Sequence, residues 1–253
     1  MNLENAKNEF TKFVQQYDLE NKKIKRKYGH SFRVMENAGK IAESLNLCED
    51  EIEIAKLIGL LHDIGHFETI KIKDILKEST RIDHGDFGVE ILKKDNYIRK
   101  YIEEDKYDNI IFKAIKNHNK FKIEDGLNEQ ELLFSKIIRD ADKLDIFYEG
   151  VEMFWINKEE IEKINNSKLS ERVIETFNNN LLIDRKDVAT QADGILNFIS
   201  FMFDINFKYD FEILKKENYI NKILDKFEFI DEITSNQMKK ARKIANEYIE
   251  EQL

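Results

Sequence analysis

The sequence has no proline, one cysteine and only nine glycines among 253 residues. Without proline the chain lacks the strongest helix breaker, so long helices are favoured. Cys48, standing alone, cannot close an internal disulfide, which fits a reducing compartment and predicts a cytoplasmic protein. Long apolar runs are missing too. The longest candidate, Ile195 to Phe207, is interrupted by Asn197, Asp204 and Asn206 and falls short of the ~20 residues of a membrane span. Residues 1–27 are polar and charged, with no apolar signal-peptide core. Internal repeats, low-complexity linkers and sustained period-two alternation are likewise absent. Basic charge is the scarcer sign: 41 Lys and Arg stand against 50 Asp and Glu, for a net charge of −9. That balance argues against a surface built for a nucleic-acid duplex. It permits a small phosphorylated substrate, because a bound metal can supply local positive charge.

The residues present describe a globular chain, 42% hydrophobic and 36% charged, long enough for one large domain or one domain with an extension. Apolar residues recur at helical spacing. Phe10, Phe13, Val14 and Tyr17 form one stripe, and the basic run Lys22 to Lys27 after it reads as a linker or solvated helix face. His30, Val34, Asn37/Ala38, Ile41 and Leu45 mark a second face. Ile52 to Leu61 is an apolar helix ending at His62-Asp63-Ile64-Gly65, where Gly65 suits a left-handed helix terminus. Asp83 is a plausible N-cap for a segment whose apolar face is Phe87, Ile91 and Leu92. Ile110, Ile111, Ala114 and Ile115 lead to His118, and Leu133, Ile137, Asp140/Ala141, Leu144 and Tyr148 make a further stripe. Trp155, Val173, Phe177, Leu196, Ile199 and Phe203 continue the helical pattern to a terminal amphipathic helix around Met238 to Ile249. The fold class is all-α. The expected organisation is an N-terminal helix (1–25), a metal-binding domain (26–150) and a helical extension (151–253) packed on the same core.

All five histidines lie between positions 30 and 118. His30, His62 and His118 share a face or terminus with an apolar stripe, and Asp140 lies one turn after Ile137. Each histidine alone reads most simply as a hydrogen-bonded core residue, and a lone inward aspartate as a helix cap or a partner of Lys or Arg. Together, inward His and Asp side chains from separate helices, with no matching buried cations, are easiest to reconcile if a metal compensates them. Imidazole and carboxylate suit Mn, Fe, Co, Ni or Zn better than Ca or Mg alone. One or two such divalent ions are expected, with Mg also allowed. Asp63 at a helix end can bridge two ions that activate water and clamp a phosphoryl oxygen.

The ordered set His30, His62-Asp63 and Asp140, with the strings Leu-Leu-His-Asp-Ile-Gly-His-Phe (60–67) and Arg-Asp-Ala-Asp-Lys-Leu-Asp (139–145), resembles the HD-domain metal-dependent phosphohydrolase superfamily. The resemblance covers roughly residues 26–150. It implies an all-α HD-domain bundle in which His30, His62, Asp63 and Asp140 hold a first metal, while His84 and His118 join Asp63 around a second. It also implies hydrolysis of a small phosphate ester, which can be a nucleotide. The cyclic-di-GMP phosphodiesterase branch is disfavoured: it carries lysine where this chain has His66, paired histidines where it has His118-Asn119, and a Gly-Tyr-Pro signature absent here.

His66 reads either as a helix-terminal histidine bonded to a carbonyl or as a donor to the phosphate or leaving oxygen. Lys143 either steadies a phosphate oxygen or pairs with Asp142. Arg81 is a weaker phosphate candidate, Phe67 a core residue or pocket wall, and Thr190-Gln191-Ala192-Asp193 a helix cap. Two alternatives share the fold: a mixed-valence di-iron oxygenase, and a non-catalytic nucleotide-sensing module. A homo-oligomer is compatible with the sequence.

Overall fold

The computed structural model describes residues 1–76, 82–152 and 157–253, the side chains of 73–76 excepted. Arg81 and Trp155 therefore lie outside the described residues. Helices carry the architecture, and no strand occurs among the described residues. No helix there is long and apolar enough to cross a membrane. The chain divides into two compact units, Met1–Asp145 and Ile146–Leu253.

The first unit holds α1 (Leu3–Val14), α2 (Lys22–Ser44), α3 (Glu49–Leu61), α4 (Ile64–Leu76), α5 (His84–Lys93) and α6 (Asp108–Asn117), and the unit boundary falls within α7 (Glu129–Glu152). Its centre is α3, whose Ile54, Ala55, Leu57, Ile58, Leu60 and Leu61 are all buried. The second half of α3 is apolar nearly all round and is walled in accordingly, while its acidic first turn stays at the surface. It meets α2 at Gly59, where a Cβ would stand 2.7 Å from the Met35 Cα. Backbone contact of that kind leaves room only for hydrogen.

The α1 stripe packs on α4. Phe10 and Phe13 meet the Phe67 ring edge-on at centroid distances of 5.8 and 6.3 Å, and Tyr17 donates its hydroxyl to Glu68 at 2.8 Å. Phe67 is thus a core residue, not a pocket wall. Asp83 caps α5 as expected, accepting from the Gly85 and Asp86 amides.

Gly65 departs from its sequence reading. It lies inside α4, one residue after its start, and the only glycine with positive φ among the described residues is Gly126. The need at Gly65 is space. A Cβ there would sit 2.3 Å from the His84 carbonyl oxygen and 2.5 Å from the Gly88 amide nitrogen, both backbone atoms. Gly65→Ala must push α5 away from α4 and carry His84 with it. The expected cost is about 1–3 kcal/mol, read as a fall of several degrees in thermal melting; an unchanged melting temperature would show that the two helices can part freely.

The second unit holds α8 (Lys158–Asn165), α9 (Glu171–Asn178), α10 (Gln191–Ser200), α11 (Lys208–Glu217), α12 (Tyr219–Leu224) and α13 (Glu232–Glu251). Its core joins Phe147, Val173, Phe177, Leu196, Ile199, Leu214, Ala241 and Ala245. Thr190 caps α10 in a reciprocal box with Asp193, as the sequence suggests. Asp193 is fully buried and also accepts from the Ser170, Ala189 and Thr190 amides, so this carboxylate is engaged in holding the α9–α10 connection.

Candidate metal centre

The site begins where helices stop. α3 ends at Leu61 and α4 begins at Ile64, leaving His62 and Asp63 in the turn between them. Adjacent residues on a continuous helix point about 100° apart; at this break the two side chains meet, His62 Nε2 standing 3.4 Å from Asp63 Oδ2. The last turn of α3 has free carbonyls, and His62 Nδ1 donates to one, Gly59 O, at 2.7 Å. α6 uses the same device: His118, just past its end, donates from Nδ1 to Ile115 O at 2.6 Å. Each bond spans three residues, and each leaves Nε2 facing inward.

His30 comes from α2 and is held differently. Its Nδ1 donates to Asp145 Oδ2 at 2.5 Å. Arg33 grips the same carboxylate with two bonds, Nε to Oδ1 at 2.5 Å and Nη2 to Oδ2 at 2.9 Å. Such a carboxylate behind an imidazole fixes ring orientation and makes Nε2 a better electron donor. Arg139 serves the His118 end: its Nη1 reaches the carbonyl oxygens of Asn117 at 3.0 Å and Lys120 at 2.5 Å, closing the end of α6 around His118.

Four imidazoles thereby converge in two pairs. His30 and His62 bring their Nε2 atoms to 3.2 Å, and His84 and His118 bring theirs to 3.1 Å. Asp63 stands between the pairs. Its Oδ2 lies 3.5 Å from His30 Nε2 and 3.4 Å from His62 Nε2; its Oδ1 lies 3.3 Å from His84 Nε2 and 3.6 Å from His118 Nε2. Two nitrogens ligating one ion at about 2.0–2.1 Å are separated by roughly 3.0–3.4 Å for octahedral to tetrahedral angles. Both pairs meet that requirement. The triads His30–His62–Asp63 and Asp63–His84–His118 could each hold a divalent cation.

Asp140 does not join either triad. It is fully buried, yet the α7 carboxylate beside the first histidine pair is Asp142, with Oδ1 3.1 Å from His30 Nε2 and 3.8 Å from His62 Nε2. Two residues along a helix turn the side chain through about 200°, so the two aspartates face nearly opposite ways. Asp142 and Asp145, three apart, share the face toward His30. Asp142, rather than the Asp140 of the sequence reading, faces the first histidine pair.

His66 sits beside the second pair, its ring 4.7 Å from that of His84. Lys143 is buried and donates to Arg139 O, one turn back, at 3.3 Å. Lys27, read from sequence as part of a solvated basic run, is turned inward and donates to Asp63 Oδ2 at 2.6 Å. A run of lysines conceals this, because only the packing of α2 against the end of α3 distinguishes one of them. Asp145 and Arg33 were also missed. Helical spacing from Asp142 to Asp145 and from His30 to Arg33 was the available signal.

The electrostatics follow from burial against charge. Burial raises the Asp63 pKa, but the Lys27 ammonium and the His62 ring outweigh it, holding the carboxyl well below the usual range. Asp142 is half-buried; desolvation raises it, but its hydrogen bond to His30 outweighs that and holds it below the usual carboxylate range. Burial and Lys27 press His30 down, yet Asp142 and Asp145 more than offset them and raise it to about 9. Burial lowers His62 and pushes His84 down to about 3. The centre therefore couples ionised carboxylates to imidazoles, and a cation ligating His30 must displace its proton.

The family model of the HD domain matches residues 28–146. Among curated proteins the chain is similar to Ribonuclease Y of Mycoplasma mycoides subsp. mycoides, 33% identical over 143 residues, which cover 54% of this chain and 23% of that protein. It is also similar to Ribonuclease Y of Mycoplasma capricolum subsp. capricolum, 32% identical over 143 residues with the same coverage. The chain thus spans less than a quarter of the length of these relatives. No solved structure matches it. HD domains are generally hydrolases that bind divalent metals, and the His–Asp triads here have the donor chemistry for such an ion.

Proposed function

We propose that this protein is a metal-dependent phosphohydrolase with a binuclear centre, acting on a small phosphate ester such as a nucleotide. The observation that carries the reading is the Asp63 carboxylate, flanked on each oxygen by its own pair of histidine Nε2 atoms. His30, His62 and Asp142 would hold one ion and His84 and His118 the other, with Asp63 shared. Bound divalent ions supply Lewis acidity, lowering the pKa of water and polarising a phosphoryl oxygen.

The remaining roles fall to the chain itself. Asp145, braced by Arg33, keeps His30 in the tautomer that presents Nε2. Lys27 offsets negative charge at the Asp63 Oδ2 side and is placed to receive a phosphate oxygen. His66, beside His84, is the candidate proton donor to the leaving oxygen. Lys143 is a second candidate for charge on the phosphoryl group, by way of the α7 end of the site.

The acidic chain favours a small substrate over a duplex. The test is a panel of phosphomonoesters, phosphodiesters, nucleotides and short RNA, assayed with Mn, Co, Ni and Mg added separately to chelator-treated protein. Metal-dependent release of phosphate or nucleotide supports the reading. Oxygen consumption by the iron-loaded protein without phosphoester cleavage would instead make it an oxygenase.

A further inference from the structure

Positive charge is concentrated at the N-terminal end of α2. Lys22, Lys23, Lys25, Arg26 and Lys27 fall in its first two turns, and the first turn contains no acidic residue. All but Lys27 are exposed, in a chain whose net charge is −9. The helix itself disfavours this placement. Cations at an N-terminus oppose the macrodipole, and Lys22–Arg26 and Lys23–Lys27 are like-charge pairs one turn apart. Such clustering calls for anions from outside the helix, and Lys27 has one in Asp63.

Their places on the helix say where a further anion would lie. His30 presents Nε2 to Asp63 and Asp142, so its side of α2 looks into the centre. At about 100° per residue, Lys23 stands roughly 20°, Arg26 roughly 40° and Lys27 roughly 60° from His30 around the axis. The four share one face. Along the axis Lys27 precedes His30 by about 4.5 Å, Arg26 by about 6 Å and Lys23 by about 10.5 Å. Lys27 donates to Asp63 at 2.6 Å, inside the centre, and Arg26 and Lys23 continue the face outward into solvent. Lys25, about 140° from His30, lies on the other side of the helix.

We infer that this face of α2 is the track for a phosphodiester chain, with Arg26 and Lys23 receiving the phosphates that follow the scissile one in a short single-stranded oligonucleotide. The cations step outward by about a helical turn, which suits phosphates separated by a sugar. The phosphates of a nucleoside triphosphate share bridging oxygens and are too compact to occupy the centre and reach Lys23 together. A narrow exposed basic face also concentrates a flexible polyanion on a protein that is otherwise acidic. The inference narrows the substrate of the proposed hydrolase and rests on that reading for the position of the scissile phosphate; its test needs no hydrolysis.

Chelator-treated protein is titrated against a short fluorescein-labelled oligouridylate over a range of KCl concentrations, with binding read by fluorescence anisotropy. Each cation that meets a phosphate of a single strand contributes about 0.7 to the slope of log affinity against log salt. Lys23→Gln and Arg26→Gln should each lessen that slope by about 0.7. Lys25→Gln removes the same charge from the far side of the same helix and should leave it unchanged. Equal losses in all three variants, or none in Lys23→Gln and Arg26→Gln, would overturn the track. Oligoglutamate bound as tightly, with the same losses, would make the face a docking site for an acidic protein instead. The two readings fail separately. Oligonucleotide binding with these losses but no metal-dependent cleavage would sink the hydrolase and leave the track as a binding surface. Cleavage of nucleoside phosphates without oligonucleotide binding would sink the track and leave the hydrolase.

Discussion

Asp63→Asn is expected to strip both ions and to lower phosphoester hydrolysis on the order of 1,000-fold or more, about 4 kcal/mol of transition-state stabilisation. The substitution keeps the shape of the side chain and removes its charge. Both histidine pairs then lose the anionic oxygen they share, Oδ2 on one side and Oδ1 on the other. The variant also leaves the Lys27 ammonium without its carboxylate partner. Lys27 retains some exposure, so water can take over part of that role, and the fold should suffer less than the function. Metal content and activity should therefore fall together while the metal-free variant still melts cooperatively. A variant that retains both ions would show that Asp63 bridges nothing.

The second large effect separates two aspartates. Asp142→Asn is expected to empty the His30 end of the centre and to reduce the rate by about 100-fold or more, because its Oδ1 stands 3.1 Å from His30 Nε2. Asp140→Asn should leave metal content near the wild-type value. Asp140 is fully buried on the other side of α7, so its replacement is expected to act on stability, by roughly 1–3 kcal/mol. Metal content and thermal melting of the two variants, measured side by side, decide the matter. Loss of metal in Asp140→Asn with an intact fold, and none in Asp142→Asn, would restore the assignment made from sequence.

The choice of Asp140 over Asp142 in the sequence reading has a physical origin. Helical periodicity locates a residue by the apolar stripe beside it. α7 is buried nearly all round, through Phe134, Ile137, Ile138, Ala141, Leu144 and Phe147, so its stripe does not distinguish position 140 from position 142. The same logic succeeded for His30, His62 and His118, whose helices deliver them inward and which are all buried. α2 and α6 each have a clear polar side. The all-α class was legible from the absence of proline and of alternation. The HD resemblance was legible because His62-Asp63 follows an apolar helix.

What the sequence hid is what only close packing supplies. Lys27 is one of several lysines in its run, and only its approach to Asp63 marks it out. Gly65 offered the usual signal of a helix terminus, whereas its role is to let the His84 and Gly88 backbones come near. Arg139 was visible in the string 139–145, but its targets are carbonyl groups, which leave no signature in side-chain patterns.

The central claim is that two divalent ions share Asp63 and that hydrolysis depends on them. Its most direct test is a titration of chelator-treated protein with Mn(II), following bound metal per chain and cleavage of a phosphoester in the same samples. The account predicts no cleavage without metal, two ions bound at saturation, and a rate that rises with occupancy of the second. Undiminished cleavage by the metal-free protein would contradict it.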